Sequence, residues 1–455
     1  MIDPFLHAWD ERFHILVAKN TLNHILKPTL YENPILPYDY KNWVGNHIWV
    51  HKQPFPIWLM SIASAFSGNT EWVYRIPTMI LSTTGVYFTY LIGKKLFNRN
   101  VAFIAAGLHS IHGLILEVSA GRVTTDHYDA QYLVLIEIAI YFAISNSKKS
   151  FKNEIIAGIF MGLAILTKWL PALIVVPIYL IYQYDKKNSL GLIKGLITIV
   201  ISGITIALPW QVYSLINYPL ETKWEQLFNS KHLTEVIEGH AAPFFYHFDK
   251  MRMLYGELIY IPLIWLIGDG IKNIRNWKSN ISIYIISTWI IIPFVFFSIA
   301  KTKMQGYTLL TAPAIFLMTG YFFWRLIELT RIEKNKFKRI GYQIIALLLI
   351  ALPVRYSVER IKPFNNPHLE PLWSKQVKSL AKVTSPSSDN VILNAEHYIE
   401  TMFYTECTAY ENIPSQNDLN LILSKANKVY VIDDNHLPIY IIENPNIEII
   451  KYQCD

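Results

Sequence analysis

His51-Lys52-Gln53-Pro54-Phe55-Pro56-Ile57-Trp58-Leu59-Met60, continuing apolar to Ser67, is the stretch on which the topology turns. It is apolar enough to enter a membrane. It is also short, and it carries two prolines. A perpendicular span needs about 20 residues, so 54–67 reads as a helix lying along the interface instead of crossing. Further apolar segments follow at 75–92, 101–118, 130–146, 153–168, 171–184, 191–209, 255–270, 280–300, 306–326 and 339–356. Residues 1–52 are too polar to span, and they lack the basic start and apolar core of a signal peptide.

Basic connectors test the choice at 54–67. Lys94, Lys95 and Arg99 lie in 93–100, Lys148, Lys149 and Lys152 in 147–152, and Lys186, Lys187 and Lys194 in 185–194. Lys272, Arg275 and Lys278 follow in 272–278, then Arg331, Lys334, Lys336, Lys338 and Arg339 in 331–339. If all five connectors lie inside, as the bias of Lys and Arg toward cytoplasmic loops requires, the segments from 75 onward alternate without conflict provided 54–67 does not cross. The outer face then receives 1–74, 117–129, the turn near Lys168, the loop 210–254, the turn 301–305 and the tail from 357.

The composition agrees. Apolar residues make up 52% of the 455 and charged residues 16%, against about 25% charged in soluble domains. The net charge of +7 is spread over the short connectors and sets topology; it does not imply nucleic acid. Cys407 and Cys454 allow one disulfide and no framework. No Cys/His metal spacing, P-loop, GxGxxG or GxSxG occurs. From 357 the chain turns polar, and short strand-like runs (391–394, 429–432, 447–451) alternate with helix-like ones (396–404, 417–425), as in a small α/β domain. The expected fold is a polytopic α-helical membrane protein of about 10 transmembrane helices, with that small C-terminal α/β domain on the outer face. Its regions are an outer first loop (1–74), a transmembrane domain (75–356) and the C-terminal domain (357–455).

This topology gathers the unusual polar residues on the outer face: Asp10, Glu11, Arg12, His51 and Lys52; then Arg122, Asp126, His127 and Asp129; then Lys168, His240, Lys301, Lys303 and Tyr307. Each has a structural alternative. Lys168 would serve as a helix-end lysine reaching water, Arg122 and Asp126 as a loop ion pair, His240 as an ordinary loop histidine, and Lys301 and Lys303 as contacts to lipid headgroups. Trp9, Trp43, Trp49 and Trp58 fit an interfacial belt or a surface for stacking on sugars. Together, carboxylates on two loops and basic residues on three others suit a phosphate-bearing substrate. A carboxylate can take a proton from an acceptor, and Lys or Arg can stabilise a departing phosphate.

Several stretches, in order, resemble the C-type superfamily of membrane glycosyltransferases. That superfamily includes the dolichyl-phosphate-mannose protein mannosyltransferases and the lipid A aminoarabinose transferases. The stretches are Asp10-Glu11-Arg12, His51-Lys52-Gln53-Pro54, Arg75-Ile76-Pro77, Arg122 to Asp126, Gly162 to Lys168, Pro209-Trp210, Gly239-His240 to Pro243, and Lys301-Thr302-Lys303 to Tyr307. The resemblance covers about residues 9–320. It implies a polyprenyl-phosphate sugar donor and a glycolipid, polysaccharide or protein acceptor. It implies Asp10 and Asp126 as catalytic carboxylates with Glu11 beside them. Lys52, Arg122, Lys168, Lys301, Lys303 and Tyr307 would surround the donor phosphate, and His51, Asp129 and His240 would belong to the substrate loops. It also implies a plasma-membrane (inner-membrane) location with chemistry on the outer, periplasmic side and inversion at the anomeric carbon. A divalent cation held by Asp10, Glu11 and Asp126 stays open. Gln53 departs from the family's first proline. The family carries a transmembrane helix ahead of its acidic motif; nine residues precede Asp10 here, and an upstream helix is left open. The competing class is a transporter or flippase of an anionic lipid-linked sugar, which should show midplane ionisable residues and internal repeats. No repeat is evident, and most charges sit at segment ends.

Overall fold

A computed structural model of the chain describes residues 3–123, 126–145, 150–364 and 370–452. Lys148, Lys149 and Cys454 lie outside them. The chain divides into two compact units. One is drawn from within Met1–Ile76, Asn217–Glu225 and Asn366–Asp455, the other from within Pro77–Ile216 and Gln226–Asn365.

The first unit is built on a four-stranded parallel sheet. Its strands are β1 (Val391–Leu393), β2 (Thr408–Ala409), β3 (Val429–Ile432) and β4 (Ile447–Ile450), in the order β2-β1-β3-β4. Short, fully apolar runs such as Val391-Ile392-Leu393 and Val429-Tyr430-Val431-Ile432 are what a parallel strand covered on both faces requires. Val391, Leu393, Val429 and Val431 pack against Leu419, Ile422 and Ile441. Cys407 is a buried thiol that donates to the Ser385 carbonyl at 3.4 Å, and burial pushes its pKa up.

The polar N-terminal stretch belongs to this same unit and contains a helix, Asp10–Thr21. It is tied to the sheet layer by Arg12 to Glu400 at 3.2 Å and Lys19 to the Phe403 carbonyl at 2.8 Å. The Tyr398 hydroxyl donates to the Val44 carbonyl at 2.8 Å. Glu11 and Arg75 form a buried bidentate pair, with Arg75 Nε to Oε1 at 2.7 Å and Nη2 to Oε2 at 3.0 Å. Arg75 also donates to the carbonyls of Asp3 and Phe5 at 2.9 and 2.7 Å.

The 54–67 stretch is a helix of 14 residues, roughly 21 Å at 1.5 Å per residue and so shorter than a membrane core of about 30 Å.

The second unit is helical. Among the described residues three helical stretches are long and apolar enough to cross a membrane: Ser189–Asn217, Ile274–Ile299 and Gln305–Ile332. Arg99–Ser110 and Gly113–Ser119 form a further pair bent by 52°, where the sequence suggests one straight segment over 101–118. The helices Lys152–Lys168 and Ser189–Asn217 meet through glycines. A Cβ on Gly162 would come within 2.7 Å of the Gly203 carbonyl, and one on Gly158 would strike the Ile199 carbonyl. Such glycines at i and i+4 let helix backbones approach closely. Gly162→Leu should therefore wedge the pair apart. A lowered thermal midpoint of the purified protein, by size-exclusion after heating, would register it.

Candidate active site

Asp10 opens the Asp10–Thr21 helix, and the residue before it, Trp9, has φ 66° and ψ −130°. Lys168 closes the Lys152–Lys168 helix, and the residue after it, Trp169, has φ 71° and ψ −157°. Bulky residues with positive φ are genuine outliers, and such strain of order 1–3 kcal/mol gathers at functional sites. Each strained tryptophan directly flanks a charged residue singled out from the sequence.

In the first unit, Lys52 Nζ lies 3.5 Å from Asp10 Oδ1, and His14 Nε2 lies 4.0 Å from the same oxygen. His51 Nδ1 lies 2.9 Å from Glu225 Oε2. Trp43 stacks on the His51 ring at 4.5 Å and 6°, and Trp49 meets the His14 and His51 rings edge-on at 5.5 and 5.6 Å. Trp49 is fully buried, so it holds imidazoles in place and is not part of an interfacial belt. Glu11, beside Asp10 in sequence, is committed to Arg75 and accepts the His7 amide as well, which marks it as an anchor.

In the second unit, Asp126 and Asp129 are buried at the start of the Tyr128–Ala143 helix. Asp126 Oδ1 accepts the Tyr128 amide at 3.0 Å. Lys168 Nζ reaches Asp129 Oδ1 at 2.5 Å and Asp126 Oδ2 at 3.5 Å. It also sits 5.9 Å over the Tyr307 ring, and the Tyr132 hydroxyl donates to the Trp169 carbonyl at 3.2 Å. Carboxylates, an ammonium and a phenol thus form one cluster. Arg122 follows the Gly113–Ser119 helix, its amide donating to the Glu117 carbonyl at 3.0 Å.

Elsewhere in that unit, Lys303 donates its amide to the His240 carbonyl at 3.0 Å, and Thr302 donates its amide to that of His232. The His240 loop and the Lys301–Lys303 turn are therefore one structure. The two lysines differ. Lys301 is exposed. Lys303 is buried, and its ammonium donates to carbonyls at the end of the Ile281–Ile299 helix, those of Ser298 (2.9 Å) and Ala300. Burial, and then Lys301, hold its pKa below the ordinary lysine value.

Two groups escaped the sequence reading. Glu225 lies on the Pro219–Thr234 helix, whose only signals are Pro219 at its start and glutamates spaced i, i+4. The Thr89–His109–Glu137 cluster is buried among helices, with Thr89 Oγ1 2.8 Å from His109 Nδ1 and donating to Glu137. A single Glu inside an apolar run is its only trace.

The described residues thus combine a helical unit, with three stretches long and apolar enough to cross a membrane, and a polar unit built on a parallel sheet, with a carboxylate–lysine pair beside a strained tryptophan in each. A family signature described as dolichyl-phosphate-mannose-protein mannosyltransferase matches residues 51–213. The undecaprenyl phosphate-alpha-4-amino-4-deoxy-L-arabinose arabinosyl transferase 2 of Proteus mirabilis is 24% identical over 74% of this chain and 62% of its own. Transferase 1 of Pseudomonas fluorescens is 23% identical over 61% of this chain and 50% of its own. The chain thus spans between half and two thirds of the length of these curated relatives. Among solved structures, ArnT from Cupriavidus metallidurans bound to undecaprenyl phosphate matches with TM-score 0.62 at 15% identity, over 93% of this chain and 85% of that one. The archaeal oligosaccharyltransferase AglB from Archaeoglobus fulgidus, in complex with an inhibitory peptide and a dolichol-phosphate, matches with TM-score 0.58 at 14% identity, over 90% and 62%. The chain is thus similar over part of its length to protein mannosyltransferases and aminoarabinose transferases, and it shares the fold of ArnT and AglB.

Proposed function

We propose that the protein transfers a monosaccharide from a polyprenyl-phosphate donor to a lipid, polysaccharide or protein acceptor at the outer face of the plasma membrane. In this reading about ten helices cross the bilayer, and the sheet-bearing C-terminal segment lies outside. The observation that carries it is the Asp126–Asp129–Lys168 cluster beside strained Trp169. The substrates named for the relatives support the donor class.

In the proposed step the acceptor oxygen or nitrogen bonds to the anomeric carbon as the bond from that carbon to the phosphate oxygen breaks. Asp10 takes the acceptor's proton, and the electron pair leaves with the polyprenyl phosphate. Lys168 is a cationic group suited to that developing charge, and Lys301 one suited to the charge the donor phosphate already carries when it binds. Asp126 and Asp129 orient Lys168, and Glu225 orients His51. Lys303 holds the end of the Ile281–Ile299 helix, which places the Lys301 turn. A divalent cation, if bound here, would be held by the Asp10 carboxylate and the His14 imidazole, whose Oδ1 and Nε2 lie 4.0 Å apart. Such an ion would add positive charge near the acceptor; one relative of this fold, the Archaeoglobus fulgidus oligosaccharyltransferase, was solved in complex with Zn and sulfate.

The test is consumption of radiolabelled polyprenyl-phosphate sugars by membranes carrying the wild-type chain. Lys301→Ala should raise the donor KM by about 10–100-fold, the range for losing a hydrogen bond to a charged group, with little change in kcat. Lys303→Met should instead reduce the folded yield. Equal KM effects from both would remove this division of labour. The Thr89–His109–Glu137 cluster favours a second reading, since ionisable residues among membrane helices mark transport routes. Movement of labelled lipid-linked sugar across proteoliposomes, abolished by Glu137→Gln without any donor consumption, would favour the transporter.

A further inference from the structure

In the sheet-bearing unit, Tyr31, Tyr38, Asp39, Asn42, His47 and Tyr410 are among the residues that line an open cavity of about 210 Å³. Tyr31 stacks on Tyr410 with centroids 5.7 Å apart and planes at 20°. Tyr38 lies over His47 at 4.2 Å and 31°, and Tyr31 meets His47 edge-on at 5.2 Å. These rings are held independently of any occupant. The Tyr410 hydroxyl accepts the amides of Ile35 and Leu36 at 3.0 and 3.1 Å. The Tyr38 hydroxyl donates to buried Glu221. A tight turn then carries Asp39 and Asn42 to the rim, the Asn42 amide donating to the Asp39 carbonyl at 2.9 Å.

We propose that this cavity is a saccharide subsite that takes one pyranose ring of the acceptor. A pyranose presents a face of C–H bonds and a rim of hydroxyls. Aromatic faces cover the first, and the carboxylate, amide and imidazole of Asp39, Asn42 and His47 pair with the second. Burial lowers the His47 pKa to about 4, so at neutral pH its ring is uncharged, with one nitrogen to donate and one to accept. The volume lies below the roughly 300–1,000 Å³ of sites for drug-sized ligands, a size that suits one ring with the rest of the acceptor outside. Preformed walls reduce the ordering cost of binding.

The subsite rests on the transferase reading, and its test separates the two. Purified full-length protein in nanodiscs, without donor, is probed by saturation-transfer NMR with methyl mannoside, methyl glucoside and methyl N-acetylglucosaminide, and with tetramethylammonium. Donor consumption is measured in parallel on the same preparations. At least one glycoside should receive saturation at its ring C–H protons. Tyr38→Leu should weaken this by about 3–10-fold, the worth of one aromatic contact, and Asn42→Ala by about fivefold, the worth of one hydrogen bond. Absence of signal with every glycoside, equal signal in Tyr38→Leu, or displacement by tetramethylammonium overturns the proposal. Glycoside binding without donor consumption would sink the transferase reading and leave the subsite standing; donor consumption without glycoside binding would do the reverse.

Discussion

Asp10→Asn is expected to lower sugar transfer by about 10²–10⁴-fold, the contribution of a positioned proton acceptor, while the protein stays folded. Asparagine keeps the size of the side chain and one oxygen facing Lys52, 3.5 Å away in the wild type. It cannot take up a proton. The helix behind it does not depend on the carboxylate, because Asp10 follows Trp9 in a cap that makes no side-chain hydrogen bond. Asp126→Asn should be nearly as damaging by a different route. Its Oδ1 can still accept the Tyr128 amide, but one of the two carboxylate charges that face Lys168 is lost and only that of Asp129 remains. Donor consumption in membranes, with protein amounts matched by size-exclusion profile, reads both. Wild-type turnover in Asp10→Asn would remove it as the base.

The second large effect is on stability. Arg75→Ala is expected to cost about 3–5 kcal/mol, as for other buried pairs that lose one partner. Glu11 would remain as a buried anion, and the carbonyls of Asp3 and Phe5 would lose their donors. Arg75→Lys should rescue little, because an ammonium cannot match the planar fork that now meets both oxygens of Glu11. Denaturant midpoints of the purified protein measure the loss. A midpoint equal to wild type would show that Glu11 is not an anchor, and it would rejoin the candidates for chemistry.

The sequence by itself determined the helical membrane class and the approximate place of most elements. Burying apolar surface imposes a pattern that needs no knowledge of neighbours: unbroken runs such as 280–300 become helices, and short ones such as 429–432 become covered strands. It also pointed to Asp10, Asp126 and Lys168, because charges at the ends of apolar segments stand out against their surroundings. The Asp10–Thr21 helix was hidden because its start is a strained tryptophan and no capping residue marks it. The Pro219–Thr234 helix was hidden inside a polar loop, and β2 is two residues with no pattern of its own. The Ser189–Asn217 helix outruns its apolar core because it continues through Pro209.

Only the tertiary structure decided which charges are available. Glu11 and Asp10 are adjacent in the chain, yet one is consumed by an arginine 64 positions away and the other is not. Lys301 and Lys303 look alike in sequence, but the turn that carries them buries one ammonium against the carbonyls of a helix end and leaves the other in water. His51 acquires its orienting glutamate from 174 positions away. Partnerships of this kind depend on chain crossings that local patterning does not encode. A residue's type limits what it can do, and its partners in the fold decide whether it is free to do it.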